Sequence, residues 1–215
     1  MITVILADDH TVVRNGLRLL LNAQPDIEVM GEAATGREAV QLAAKLQPQI
    51  ALLDIAMPDL NGIEATRQIG EVAPTTQVII LSMHAGSDYI YHALQAGARG
   101  YILKESAAEE LIQAIYAVQS GNRFLNSKVT DEIVTHYLGQ GATAVQESPL
   151  TQLSDREREV LQLVVEGKTS VEVGAILALS PKTVDTYRSR LMQKLNIHDL
   201  PTLVKFAIQQ GITGL

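Results

Sequence analysis

A chain of 215 residues has room for one mid-sized domain and a second small one. With 47% hydrophobic and 19% charged residues it has the make-up of a folded globular protein, which argues against a disordered chain. It has no cysteine, so disulfide frameworks and thiolate metal sites are excluded; the net charge of −7 sits mostly in residues 1–125, which carry 14 acidic and 8 basic side chains, against 10 and 9 in residues 126–215.

The N-terminus opens on Val4-Ile5-Leu6-Ala7, too short an apolar run for a signal peptide core or a membrane span, so a cytoplasmic protein without a membrane partner is expected. Further runs follow at Ile27–Ala33, Ile50–Leu53, Val78–Leu81 and Tyr101–Leu103, the first run spanning Ile2–Ala7. Most are apolar nearly throughout, as parallel strands buried on both faces require. Between them lie amphipathic stretches long enough for crossover helices, punctuated by glycine and proline. This alternation predicts an α/β fold: an open, doubly wound five-stranded parallel sheet over residues 1–121.

Gly121-Asn122-Arg123 reads as a helix stop, and residues 122–149 as a linker with room for one helix, Ser127–Leu138. Its last part, Gly139–Pro149, is small, polar and without periodicity, the composition of a flexible connection. From residue 150 to 215 every signal is helical, so a small all-α domain is expected.

In open α/β sheets ligands bind beyond the carboxyl ends of the strands. Those ends carry Asp8 and Asp9 after the first strand, Asp54 after the third, Ser82 after the fourth and Lys104 after the fifth. Singly, each is more often a cap or a solvated residue; five suitable groups at the ends of four strands are hard to ascribe to chance. Three carboxylates in one place call for a cation, and hard oxygen donors suit Mg²⁺. With an ammonium and a hydroxyl beside them, these are the parts needed to accept and hold a phosphoryl group.

On Asp8-Asp9, Leu53-Asp54-Ile55-Ala56-Met57-Pro58, Ser82 and Lys104, the first 120 residues resemble the receiver domain of two-component response regulators, which has a flavodoxin-like fold. The resemblance implies that Asp54 is the phosphoacceptor. It further implies that Asp9, Asp54 and the backbone carbonyl of Ala56 bind Mg²⁺ directly, with Asp8 acting largely through water. Lys104 would pair with the phosphoryl group, Ser82 would swing towards it, and Tyr101 would be the aromatic switch that follows Ser82 inward. Many receivers have proline after the lysine; here Glu105 follows, which leaves the isomer of that bond open. His10 is given no catalytic role.

In the last third, Ser154 precedes Glu157 by three residues, a capping box, ahead of an apolar face of Leu153, Val160, Leu161 and Val164. Gly167 stops that helix, Thr169 or Ser170 caps the next, and Ser180-Pro181 opens a third. On the third, Val184, Tyr187, Leu191 and Leu195 share one face. Lys182, Thr186, Ser189 and Gln193 share the opposite face, flanked by Thr183, Arg190 and Asp185. Short hydrogen-bonding side chains and cations on one helix face suit a major groove. Asp155-Arg156-Glu157-Arg158-Glu159-Val160-Leu161 and Ser180-Pro181-Lys182-Thr183-Val184 are similar to the LuxR-type helix-turn-helix, and with the receiver the whole resembles the NarL/FixJ class.

The resemblance implies a sensor histidine kinase as phosphodonor, homodimerisation on activation, a contact for that dimer along Leu200–Gln210, and transcription control through double-stranded DNA contacted by Lys182, Thr183, Asp185, Thr186, Ser189 and Arg190. Asp185 departs from the cation or neutral polar group that many relatives carry; a carboxylate there is repelled by phosphates but can accept from cytosine N4. Competing readings are a phosphorylation-independent regulator with a receiver-like domain, a small-molecule sensor, and a Mg²⁺-dependent aspartyl-phosphate phosphohydrolase. The sensor lacks aromatic residues for a stacking pocket. The phosphohydrolase lacks a second acid, since Ala56 stands two residues after Asp54, so any hydrolysis should be slow self-dephosphorylation.

Overall fold

In the computed structural model, which describes residues 1–139 and 149–213, the five apolar runs form parallel strands: β1 (Ile2–Ala7), β2 (Ile27–Ala33), β3 (Ile50–Asp54), β4 (Gln77–Ser82) and β5 (Gly100–Leu103). Every residue of β3 and β5 is buried, whereas β2 alternates, as its place at one edge of the order β2-β1-β3-β4-β5 dictates. Successive strand residues feed opposite layers. Val4, Leu6, Ile50, Leu52, Ile79, Leu81 and Ile102 meet α1 (Thr11–Asn22) and α5 (Ala107–Gln119). Ile5, Ala51, Leu53, Ile80, Tyr101 and Leu103 meet α2 (Gly36–Leu46), α3 (Gly62–Val72) and α4 (Ser87–Gln95). The order reverses between β1 and β3, so the loops leaving these strands open a crevice at their carboxyl ends.

The five-stranded expectation needs one addition. A sixth strand, β6 (Phe124–Leu125), pairs parallel with β5. It leads into α6 (Ser127–Gly139), whose Val129 is fully buried in the same cluster as Tyr101. Asn126 fastens this corner: its side-chain Oδ1 accepts from the Val129 N–H at 2.9 Å, and its Nδ2 donates to Glu110 Oε2 at 2.9 Å. The first compact unit therefore runs past residue 121 and takes in α6, the helix for which the linker had room. The flexible stretch expected over Gly139–Pro149 falls, apart from its two end residues, outside the described residues.

The second unit is helical, with a 3₁₀ turn at Pro149–Gln152, α7 (Asp155–Val165), α8 (Ser170–Leu177), α9 (Pro181–Lys194) and α10 (Leu200–Gln209). Capping boxes start α7 at Ser154 with Glu157 and α8 at Thr169 with Glu172, and Ser180 caps α9 with Pro181 as its first residue. Leu153, Val160, Leu161, Val173, Leu177, Val184, Leu191 and Leu203 form its core. Among the described residues no helix is long and apolar enough to cross a membrane.

Candidate functional site

Asp8 directly follows β1 and Asp54 ends β3, both almost fully buried, and Lys104 leaves β5 beside them. The Lys104 ammonium lies 2.8 Å from Asp8 Oδ2 and 2.8 Å from Asp54 Oδ2. No donor other than this ammonium reaches either oxygen. Asp8 Oδ1 is engaged by the His10 backbone N–H at 2.8 Å, and the Asp8 carbonyl accepts from Arg14 on α1.

One ammonium between two buried carboxylates leaves negative charge over. Burial pushes the Asp54 carboxyl above its ordinary value; Lys104 offsets part of this and the Asp8 charge adds to it. Burial alone would lower Lys104, but Asp54 and Asp8 outweigh it and hold the ammonium above its usual range. Oxygens of Asp8, Asp9 and Asp54 and a nitrogen of His10 lie within 4.8 Å of one another. Asp9 is exposed, and its Oδ1 holds His10 Nδ1 at 2.6 Å. Hard oxygen donors around surplus negative charge fit a divalent cation such as Mg²⁺. Ala56 sits exposed in the loop after β3, its N–H turned to Asp54. Behind Asp54, Gly62 is obligatory: a Cβ there would stand 2.0 Å from the Asp54 carbonyl oxygen.

Ser82, at the end of β4, is fully buried, and its Oγ accepts from the His84 N–H at 2.9 Å. Its hydroxyl is also in hydrogen-bonding contact with the Tyr101 phenol, which donates to the His84 carbonyl at 2.7 Å. Tyr101 is thus inward and fully buried, and burial holds its phenol far above the ordinary range, so it stays a donor. His84 also stacks on Tyr89 with ring centroids 4.4 Å apart. No residue pattern around His84 announced this part, because its key contacts use backbone groups. The Lys104–Glu105 bond is trans, and Glu105 pairs with Lys128 of α6 at 2.5 Å.

In the second unit the periodicity of α9 holds: Val184 and Leu191 are buried, Tyr187 and Leu195 pack beside them, and Lys182, Asp185, Thr186, Ser189, Arg190 and Gln193 are exposed, with Thr183 half-buried. Thr186 donates to the Lys182 carbonyl and Thr183 shares a hydrogen bond with Ser180. Among the described residues Lys182, Ser189 and Arg190 have side chains without such partners. Asp185 Oδ1 accepts from the Ser170 hydroxyl at 2.6 Å, a contact not foreseen from spacing. Lys194, in the last turn of α9, is held by buried Glu157 at 2.6 Å.

Residues 4–116 match the response regulator receiver domain family, and residues 151–207 match the bacterial regulatory proteins of the luxR family. The chain is a two-component response regulator of the NarL/FixJ class. This response regulator is 38% identical over 213 residues to the oxygen regulatory protein NreC of Staphylococcus carnosus, covering 97% of this chain and 98% of NreC. It is 42% identical over 199 residues to the transcriptional regulatory protein LiaR of Bacillus subtilis, covering 93% of each. Among solved structures it is similar to the response regulator RcsB in complex with DNA, at 26% identity and a TM-score of 0.60, covering 97% of this chain and 98% of RcsB. The likeness spans both units, so the receiver and the LuxR-type DNA-binding domain occur together in the relatives as they do in this regulator.

Proposed function

We propose that Asp54 accepts a phosphoryl group from a sensor histidine kinase in the cytoplasm, and that this controls homodimerisation and sequence-specific binding of double-stranded DNA through α9. The observation that carries the reading is the buried Asp54 carboxylate at the end of β3, facing Lys104 at 2.8 Å in a site shared with Asp8. A carboxylate oxygen of Asp54 attacks the phosphorus of a phosphohistidine, the P–N bond breaks, and the imidazole leaves with a proton while an acyl phosphate forms. Lys104 is placed to pair with the new phosphoryl oxygens, and Ser82 to donate to one of them. Asp9, Asp54 and the Ala56 carbonyl would hold Mg²⁺, with Asp8 acting through water; when bound, the ion neutralises phosphoryl charge.

Drawing Ser82 towards the phosphoryl group releases its contacts with Tyr101 and the His84 N–H, so that the loop after β4 and the surface of α4 and β5 settle differently. Two such regulators then pair and engage two half-sites. Lys182, Thr183, Thr186, Ser189 and Arg190 line the DNA face of α9, with Asp185 beside them, and the RcsB–DNA complex supports this use of the fold. Turnover is confined to slow self-dephosphorylation, since Ala56 offers no acid group to activate water.

Incubation with acetyl phosphate and Mg²⁺ tests the reading. Wild type should gain one phosphoryl mass, dimerise and bind DNA more tightly, and Asp54→Ala should do none of these. Absence of an Asp54-dependent mass gain would refute phosphotransfer and leave a phosphorylation-independent regulator. A mass gain without altered dimerisation or DNA binding would refute the switch.

A further inference from the structure

The turn that joins α8 to α9 packs so closely on α8 that only glycine fits at residue 174 of that helix: a Cβ on Gly174 would stand 2.6 Å from the Leu179 carbonyl oxygen, while Ala178 in the turn adopts the left-handed conformation at φ 54°. That turn fixes the C-terminal end of α8 against α9. Val173, Leu177 and Val184 fill the space between the helices. At eight residues α8 is about 12 Å long, so a hinge at the turn alone leaves its far end free to rock.

The far end is where Ser170, first residue of α8, donates its hydroxyl to Asp185 of α9 at 2.6 Å. A hydroxyl donating to a carboxylate makes a stronger bond than one donating to a neutral oxygen. Thr169 caps α8 through its own box with Glu172, so Ser170 is not needed as a cap.

We propose that Asp185 is a positioning residue for DNA recognition, forming with Ser170 a strut that sets the angle of α9 and turns a carboxylate away from the groove. The inference rests on the reading that α9 enters the major groove. It accounts for a negative side chain on a helix face that must approach phosphates: its charge is engaged from behind, and Lys182, Ser189 and Arg190 keep the forward contacts. The competing role, acceptance of a hydrogen bond from cytosine, makes different demands of Ser170, and this separates the two.

The test is a double-mutant cycle on the full chain. Binding is measured by anisotropy on a duplex selected by wild type from a random pool, and on an unselected duplex of equal length. Ser170→Ala and Asp185→Ala should each lower the preference for the selected duplex roughly three- to tenfold, and the double variant should lose no more than one single. Asp185→Asn keeps the acceptor for Ser170 and should stay within about twofold of wild type. Independent, multiplying losses would overturn the strut. So would a silent Ser170→Ala beside an Asp185→Asn that prefers a different base pair, which is the behaviour of a base reader. Affinity raised on both duplexes by Asp185→Asn would overturn it in favour of plain repulsion. Lys182→Ala and Arg190→Ala guard the underlying reading: if neither weakens the selected duplex, α9 does not face DNA and both conclusions fall together. If both weaken it while the cycle is additive, only the strut falls.

Discussion

Replacing Asp54 by Asn should make the metal-free receiver more stable, although it removes the proposed phosphoacceptor. Oxygens of Asp8 and Asp54 lie within 4.8 Å of each other. At an effective dielectric constant of about 20, two unit charges at that distance repel by roughly 3 kcal/mol. Lys104 offsets this by attraction to both, but Asp54 still has its carboxyl raised, with burial the largest cause, so its ionised form remains the unfavourable one. A neutral isostere removes the penalty, for a net gain of about 1–2 kcal/mol, at the low end of what replacing buried charges yields. For a unit of this size that is about 3–8 °C in melting temperature.

The sign with pH follows from the raised carboxyl. Below its ordinary value of 3.8 Asp54 is protonated in both folded and unfolded chains, and the two proteins should melt alike. As pH rises, the unfolded chain ionises first, the wild type loses stability, and the gap opens until Asp54 ionises in the fold as well. Scanning calorimetry at neutral pH with a chelator, and again in millimolar Mg²⁺, measures the effect. Mg²⁺ should raise the wild type more than Asp54→Asn and narrow the gap. An Asn variant that melts at or below wild type without metal would mean that Lys104 fully neutralises the pair, and the charge argument would fail.

Val129→Ala removes two buried methyl groups beneath α6 and should cost about 2 kcal/mol; hydrogen exchange in α6 should speed up roughly thirtyfold, and unchanged protection would show that α6 is not part of the core. Gly174→Ala forces a Cβ against the Leu179 carbonyl and should cost about 1–3 kcal/mol in urea unfolding of the second unit, together with loss of selective DNA binding. Lys194→Ala strips buried Glu157 of its ammonium and should cost about 1–2 kcal/mol at neutral pH, the lysine being partly exposed. Burial by itself would raise the Glu157 carboxyl, but Lys194 and Ser154 prevail and hold it low. Its contribution is present above the ordinary value of 4.5 and lost as pH falls, so wild type and Lys194→Ala should converge in acid unfolding experiments.

The receiver sheet was legible because strands buried on both faces leave unbroken apolar runs, and each run became a strand within a residue of its expected ends. Asp8, Asp54, Ser82 and Lys104 were legible as candidates because parallel strands deliver their carboxyl ends to one edge. β6 was not, since a two-residue strand has no period to detect and pairs through backbone groups alone. Nor was the Asn126 contact with Glu110, which joins residues 16 apart across an element boundary. On α9 the helical period sorted buried from exposed positions, but it carries no information on what an exposed side chain meets on a neighbouring helix. That is why the pairing of Lys194 with Glu157 went unseen, and why Asp185 read without Ser170.

The pairing of β6 with β5 also decides where the receiver can be cut. Without Phe124 and Leu125 the backbone of Gly100 and Tyr101 becomes an open sheet edge, and loss of α6 uncovers the apolar bed under Val129. An open edge beside exposed apolar surface is a template for strand addition by another chain. A fragment ending at residue 121 would keep every group of the Asp8–Asp54–Lys104 site and still be prone to aggregate, whereas one ending at residue 139 would carry its own edge protection. Chimaeras that exchange output domains between such regulators should be joined after α6.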